Sequence, residues 1–177
     1  MSSTSDDTTI GAGRHLALVD RGGWEYATRV PAREIVAVVA VTERGELVLV
    51  EQHRPPVSGP VIEIPAGIVG DDAGRAGESL ADAARRELLE ETGFRADSLV
   101  ARGRFVSSAG LTDEVVTFFV AEGVSRVADG GGVGSERIRV HTVALAGVML
   151  WVEAALNRGI SVDARVLSAL TLVGRVD

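Results

Sequence analysis

The segment Arg86-Glu87-Leu88-Leu89-Glu90-Glu91-Thr92-Gly93-Phe94 carries three carboxylates within five residues, and Glu78 stands seven intervening residues before it. In a helix, residues three and four apart share a face, so Glu87 lies beside both Glu90 and Glu91. Carboxylates held that close repel. A hard divalent cation among them turns repulsion into binding, and Mg²⁺ or Mn²⁺ suits an all-oxygen site that also receives substrate phosphates. A purely structural helix gains nothing from acids in its last turns, where the helix dipole opposes them. Gly93 supplies a C-terminal stop, with Phe94 available for a closing apolar contact.

The elements that must position these groups are legible from periodicity and turn chemistry. Leu16–Val19 and Glu25–Val30 read as short strands around the turn Arg21-Gly22-Gly23. Ile35–Val41 and Leu47–Glu51 are Val-rich strands joined by Glu43-Arg44-Gly45-Glu46, and the unbroken apolarity of the first predicts burial on both faces. Val61–Ile64 is a further strand ending at Pro65, and the helix runs from Ser79 to Thr92, with Ser79 as N-cap and Asp82 at the capping-box distance. Phe105 and Val106 end a strand, Val115–Ala121 forms another, and Asp129–Gly134 is a glycine run with nothing to pack. A strand Ile138–Val143 precedes two helices, Leu145–Asn157 and Val162–Val173. Hairpins around a central helix with a C-terminal helical pair predict an α/β protein whose sheet is covered on both faces.

With 177 residues, 46% of them apolar and 24% charged, the chain suits one well-cored domain, expected over 14–177 after a disordered leader at 1–13. Within it, 14–31 forms an N-terminal hairpin. The longest aliphatic run is too short to span a bilayer, and the Ser/Thr/Asp-rich start lacks the basic and apolar regions of a signal peptide. Cysteine is absent, so disulfides and thiolate metal sites are excluded and a cytoplasmic location is expected. All 18 basic residues are arginine, and the net charge of −7 argues against a nucleic-acid-binding surface.

From Glu78 onward the segment resembles the Nudix box, G-x5-E-x7-R-E-U-x-E-E-x-G-U, at every fixed position. The glycine expected six residues before Glu78 would fall on Asp72; the better counterpart is Gly67 of Pro65-Ala66-Gly67, which implies about five extra loop residues within 70–77. Resemblance extends from about Gly22 to Arg175 and points to the ADP-ribose and ADP-sugar pyrophosphatase branch. Gly23-Trp24-Glu25-Tyr26, Glu51-Gln52-His53-Arg54-Pro55-Pro56, Glu63-Ile64-Pro65-Ala66-Gly67, Ser108–Glu114 and Val162–Val166 carry it. One departure is Ala109, where ADP-ribose hydrolases typically have proline.

The resemblance implies the Nudix fold, a mixed sheet between helices, with an N-terminal extension exchanged across a homodimer. It implies that Glu87, Glu90 and Glu91 bind metal, joined by the backbone carbonyl of Ala66, and that Glu136 is either a metal ligand or the base that activates water. Trp24 would stack on adenine with Glu25 as a hydrogen-bond acceptor. Arg54 is the candidate for the diphosphate, since a guanidinium pairs with phosphate oxygens and stays charged, and Arg29 would assist. Arg86 would orient a carboxylate by an ion pair. His15, His53 and His141 show no spacing of a zinc or triad site and are read as structural. The function implied is Mg²⁺-dependent cleavage of a nucleotide sugar, ADP-ribose first, to AMP and ribose 5-phosphate. GDP-mannose or another nucleotide sugar, an oxidised nucleoside diphosphate, and a nucleotide sensor that binds without hydrolysis remain open.

Overall fold

Ile35 to Ala40 are buried without a break, and successive residues face opposite ways into two cores. Ile35, Ala37 and Val39 enter one core, and Val36, Val38 and Ala40 the other. The computed structural model describes residues 7–31, 34–70, 75, 77–134 and 136–174. Along the chain the strands are β1 (Asp7–Ala12), β2 (Leu16–Arg21), β3 (Trp24–Arg29), β4 (Ile35–Thr42), β5 (Glu46–Arg54), β6 (Gly59–Glu63) and β7 (Ala66–Ile68). Helix α1 (Leu80–Thr92) follows, then β8 (Phe94–Arg95), β9 (Ser98–Val106), β10 (Val115–Arg126) and β11 (Ile138–Ala144). The last described elements are α2 (Val148–Asn157), β12 (Ser161–Val162) and α3 (Ala164–Val173).

The large sheet is mixed. β4 pairs in parallel with β10, whereas β5 pairs antiparallel with β6 and β11. β4 and β5 pair in register only at Val41 and Leu47, so the sheet has two wings joined at that hinge. Helices α2 and α3 cover one face through Val152 and Val166, and α1 covers the other through Ala83, Ala84 and Leu88. That is the α/β sandwich the sequence implied. The expected helix at 145–157 begins as a 3-10 turn, Leu145–Gly147, before α2 proper.

Two expectations are corrected. Asp7–Ala12 lies in the segment read as a disordered leader, yet it forms β1 and pairs with β2, so the N-terminal unit has three strands and not two. Residues 1–6 lie outside the described residues, as do most of the lengthened loop's residues, 71–74 and 76. The glycine run at 129–134 does pack: its backbone closes over the end of α1. The N-terminal sheet buries only Ala17, Val19 and Tyr26 as a cluster. It docks along the segment before β10, where the Ala27 N–H donates to the Leu111 carbonyl at 2.8 Å and the Thr28 hydroxyl donates to Asp113 at 2.9 Å.

Candidate active site

Helix α1 starts and stops where its caps dictate. The Ser79 hydroxyl accepts the Asp82 N–H at 3.1 Å, and Gly93, at φ 73°, donates its N–H to the Leu89 carbonyl. Carbonyls orphaned at the helix end are then satisfied by the glycine loop: Gly131 N–H reaches Glu91 O at 2.9 Å and Gly132 N–H reaches Glu90 O at 3.0 Å. Only glycine permits this approach, because a Cβ on Gly130 would collide with the Thr92–Gly93 backbone. The same loop delivers Glu136, whose carboxylate accepts the Val133 N–H at 2.8 Å, to the cleft lined by Glu87, Glu90 and Glu91.

Arg86 organises the acids. Its guanidinium donates to Glu78 at 2.9 and 3.1 Å, to Glu87 at 2.7 Å, to Glu90 at 3.2 Å and to the Ile68 carbonyl at 3.2 Å. These bonds hold the Glu78 carboxyl below its ordinary range. Glu87 lies flat against Gly67, and a Cβ built there would overlap its carboxylate. Gly67→Ala is therefore expected to push Glu87 off Arg86, costing about 1–3 kcal/mol as overpacking does. Turnover should fall with it. A thermal melt and a steady-state assay check the pair, and a variant normal in both would show that Glu87 tolerates displacement.

Glu91 is almost fully buried and accepts the Ala66 N–H at 3.1 Å. Burial, followed by the charge of Glu87, pushes its carboxyl up to about 8, against the pull of that N–H. Ala66 thus already meets the glutamates through its N–H.

Arg54 and Arg165 form the cationic side of the cleft. Glu63, buried at 2% exposure, binds Arg54 through both oxygens at 2.6 and 2.8 Å and Arg165 at 3.1 Å. Arg165 sits in the first turn of α3, where Asp163 both caps the helix and grips the guanidinium at 2.7 and 2.9 Å. The sequence reading assigned no role to Glu63, Asp163 or Arg165. A usable signal was present: Glu63 follows Val61 and Ile62 in a strand that enters the core, where an acid needs a cationic partner. Arg29 lines the same cleft but is paired with Glu114 at 2.7 Å.

The cleft, about 560 Å³, thus gathers Arg29, Arg54, Ala66, Arg86, the three box glutamates and Glu136. Trp24 and Glu25 are not brought there. Trp24, 64% exposed, donates its indole N–H to the Gly110 carbonyl at 3.3 Å and lines a separate depression with Tyr26, Ala109 and Asp113. Glu25 is exposed on β3. Of the histidines, His141 bonds Glu51 at 2.9 Å and stacks edge-on against Trp151, whereas His53 stands exposed.

Among the described residues, no three acidic or imidazole groups already surround a common centre, since Arg86 draws in Glu87 and Glu90 while the Ala66 N–H draws Glu91. The donor set still fits a hard cation. It is all oxygen, two of its carboxylates are buried, and both the burial and the repulsion from Glu87 that raise Glu91 are what a cation would offset.

The NUDIX domain model matches residues 31–153, more than half of the chain. The chain belongs to the Nudix family. It is 42% identical over 90 residues to the ADP-ribose pyrophosphatase of Bacillus subtilis, covering 51% of this chain and 46% of that one. Against the methanol dehydrogenase activator of Bacillus methanolicus the identity is 36% over 101 residues, covering 57% and 52%. Against the GDP-mannose pyrophosphatase of Yersinia pestis it is 34% over 106 residues, covering 55% and 50%. The chain spans about half the length of these curated relatives. A solved structure of an ADP compounds hydrolase superposes with a TM-score of 0.70 over 95% of this chain and 89% of that chain at 23% identity, which establishes the Nudix fold. Among the described residues, no helix is long and apolar enough to cross a membrane.

Proposed function

We propose that this chain is a Mg²⁺-dependent Nudix hydrolase that cleaves the diphosphate of a nucleotide sugar, ADP-ribose first, to AMP and ribose 5-phosphate. One observation carries the reading: carboxylates suited to a cation and guanidiniums suited to phosphate face each other across a single cleft. Glu87, Glu90 and Glu91, with Ala66 through its carbonyl, would hold the divalent ion, Mg²⁺ or Mn²⁺. When bound, such an ion neutralises phosphate charge and makes water a better nucleophile. Arg54, locked by Glu63, and Arg165 offer N–H groups to the diphosphate oxygens, with Arg29 beside them. Glu136 keeps one carboxylate oxygen on the Val133 N–H and with the other takes the proton from the attacking water. The water oxygen bonds to one phosphorus, the bridging P–O bond breaks, and Arg86 keeps Glu87 and Glu90 in register. The relatives named for ADP-ribose and GDP-mannose pyrophosphatase activity support the nucleotide-sugar class. A chain without cysteine suits a reducing cytoplasm.

Adenine selection is assigned to Trp24, with Glu25 as acceptor. Trp24 shares no lining residue with the glutamate cleft of its own chain. A partner copy is therefore the proposed source of the stacking ring, in a homodimer built on the N-terminal sheet, whose Ile10, Leu16 and Leu18 are exposed. Trp24→Ala is expected to weaken ADP-ribose binding by about 1–3 kcal/mol, the worth of a base stacked on an aromatic ring. Unchanged affinity in a folded variant would make Trp24 structural. Light scattering at micromolar concentration should give twice the chain mass, and a fully active monomer would refute the shared site.

The deciding experiment is a product-resolved assay over a nucleotide-sugar panel with Mg²⁺ and with Mn²⁺. AMP and ribose 5-phosphate from ADP-ribose are the expected leading products. Preferred cleavage of GDP-mannose would reassign the substrate, and no cleavage of any member would remove the hydrolase reading.

A further inference from the structure

A second groove of about 550 Å³ opens beyond Glu136, lined by Glu51, His53, Arg137 and Arg139 among others. It is continuous with the catalytic cleft, because Gln52 and Glu136 line both. Register explains why the two spaces carry different chemistry. In β5, Gln52 and Arg54 point into the catalytic cleft, so Glu51 and His53 point to the opposite face. β11 runs antiparallel to β5 with Arg139 directly across from Glu51. Arg137, just before β11, lines the same groove. The groove thus sits at the distal edge of the cleft, past the loop that carries Glu136.

Its lining sets two carboxylates, Glu51 and Glu136, against two guanidiniums, Arg137 and Arg139, and the acids are the more fully engaged. The Glu51 carboxylate is engaged by His141 at 2.9 Å, and the Glu136 carboxylate by the Val133 N–H at 2.8 Å. Arg137 spends one N–H on the neighbouring Glu136 carbonyl at 2.8 Å and keeps its remaining donors. Arg139 forms no ion pair with any described residue, and both arginines are exposed. Elsewhere in the cleft region the guanidiniums of Arg29, Arg54, Arg86 and Arg165 are each bound to a carboxylate. Two uncommitted guanidiniums in a groove continuous with the cleft match a phosphate and not a neutral hydroxyl array.

We propose that this groove is a second anion subsite, in which Arg137 and Arg139 hold a phosphate carried on the far end of the leaving sugar. The preferred substrate is then a nucleoside diphosphate linked to a phosphorylated sugar. This rests on the nucleotide-sugar reading above for the identity of the substrate, though not for the binding of the anion.

The test has a binding arm and a turnover arm. By calorimetry with Mg²⁺ present, ribose 1,5-bisphosphate should bind the full chain roughly ten- to a hundredfold more tightly than ribose 5-phosphate, the worth of charged hydrogen bonds. The double variant Arg137→Ala/Arg139→Ala should lose that preference. In turnover, ADP-ribose phosphorylated on its anomeric hydroxyl should show a higher kcat/KM than ADP-ribose, and the ratio of the two should fall by a similar factor in the double variant. Equal binding of the two sugar phosphates, or a preference that survives in the double variant, would overturn the subsite. If neither nucleotide sugar is cleaved yet the binding preference exists and depends on the two arginines, the subsite stands and the hydrolase reading falls. Cleavage of ADP-ribose with no gain from the added phosphate leaves the hydrolase reading and removes the subsite.

Discussion

Replacing Glu91 by Gln is expected to lower turnover by about 10²–10⁴-fold while raising the stability of the metal-free protein at alkaline pH. Both effects come from one carboxylate. Its folded-state value, raised from 4.5 to about 8 chiefly by burial and then by Glu87, means that folding favours the protonated form. Stability contributed by that proton is complete at acid pH and is lost as the pH rises through the window from 4.5 to about 8. The wild-type melting temperature without divalent ions should therefore decline across that window, and Glu91→Gln should flatten the decline. Gln keeps the shape and an oxygen that can accept the Ala66 N–H. Added Mg²⁺ should stabilise the wild type at pH 8 more than the variant. Near-normal turnover of Glu91→Gln in saturating Mg²⁺ would remove Glu91 from the metal site, and a pH-independent wild-type melt would show that its burial is relieved by other means.

Glu63→Leu is expected to destabilise the fold by on the order of 3 kcal/mol and to raise KM sharply. The substitution fits the buried volume but strips Arg54 of its bidentate partner and Arg165 of one of two. The cost should fall at the low end of that known for a broken buried pair, because Arg54 is 43% exposed and can rehydrate while Arg165 retains Asp163. Urea denaturation measures the first effect and steady-state kinetics the second. The two readouts separate roles: lost stability with unchanged KM would mean that the arginines are structural and do not hold the diphosphate. Glu63→Gln, which keeps acceptor capacity for Arg54, should fall between the wild type and the Leu variant in both.

Much of the framework follows from local chemistry. Helix α1 lies where Ser79 and Gly93 bound it, and β4 is buried on both faces because Ile35 to Ala40 offer no polar side chain to water. The caps act within a turn or two, and an unbroken apolar run needs only that some partner cover each face. Placing Glu87, Glu90 and Glu91 together is of the same kind, since it is a property of helical spacing. β1 escaped notice because Asp7–Ala12 is exposed throughout and is held by its pairing to β2, which leaves no hydrophobic alternation to read.

What only the tertiary structure decided is what each charge faces. Arg54 and Glu63 come together because β5 and β6 pair in one register, and Arg165 joins them from 102 residues away through the cap of α3. Glu136 reaches the glutamates only because the glycine run lies against the carbonyls at the end of α1. Ala66 turns its N–H toward Glu91 because β7 brings it beside the end of α1. Trp24 docks on Gly110, away from the cleft of its own chain. The sequence by itself determined which carboxylates share one helix face, because type and helical spacing are local properties, and it offered Arg54 but not Arg165 beside them. Which acids are neutralised by arginine, which carboxyl is buried, and which guanidiniums remain uncommitted depend on contacts between distant segments, and those exist only once the two wings of the sheet are closed.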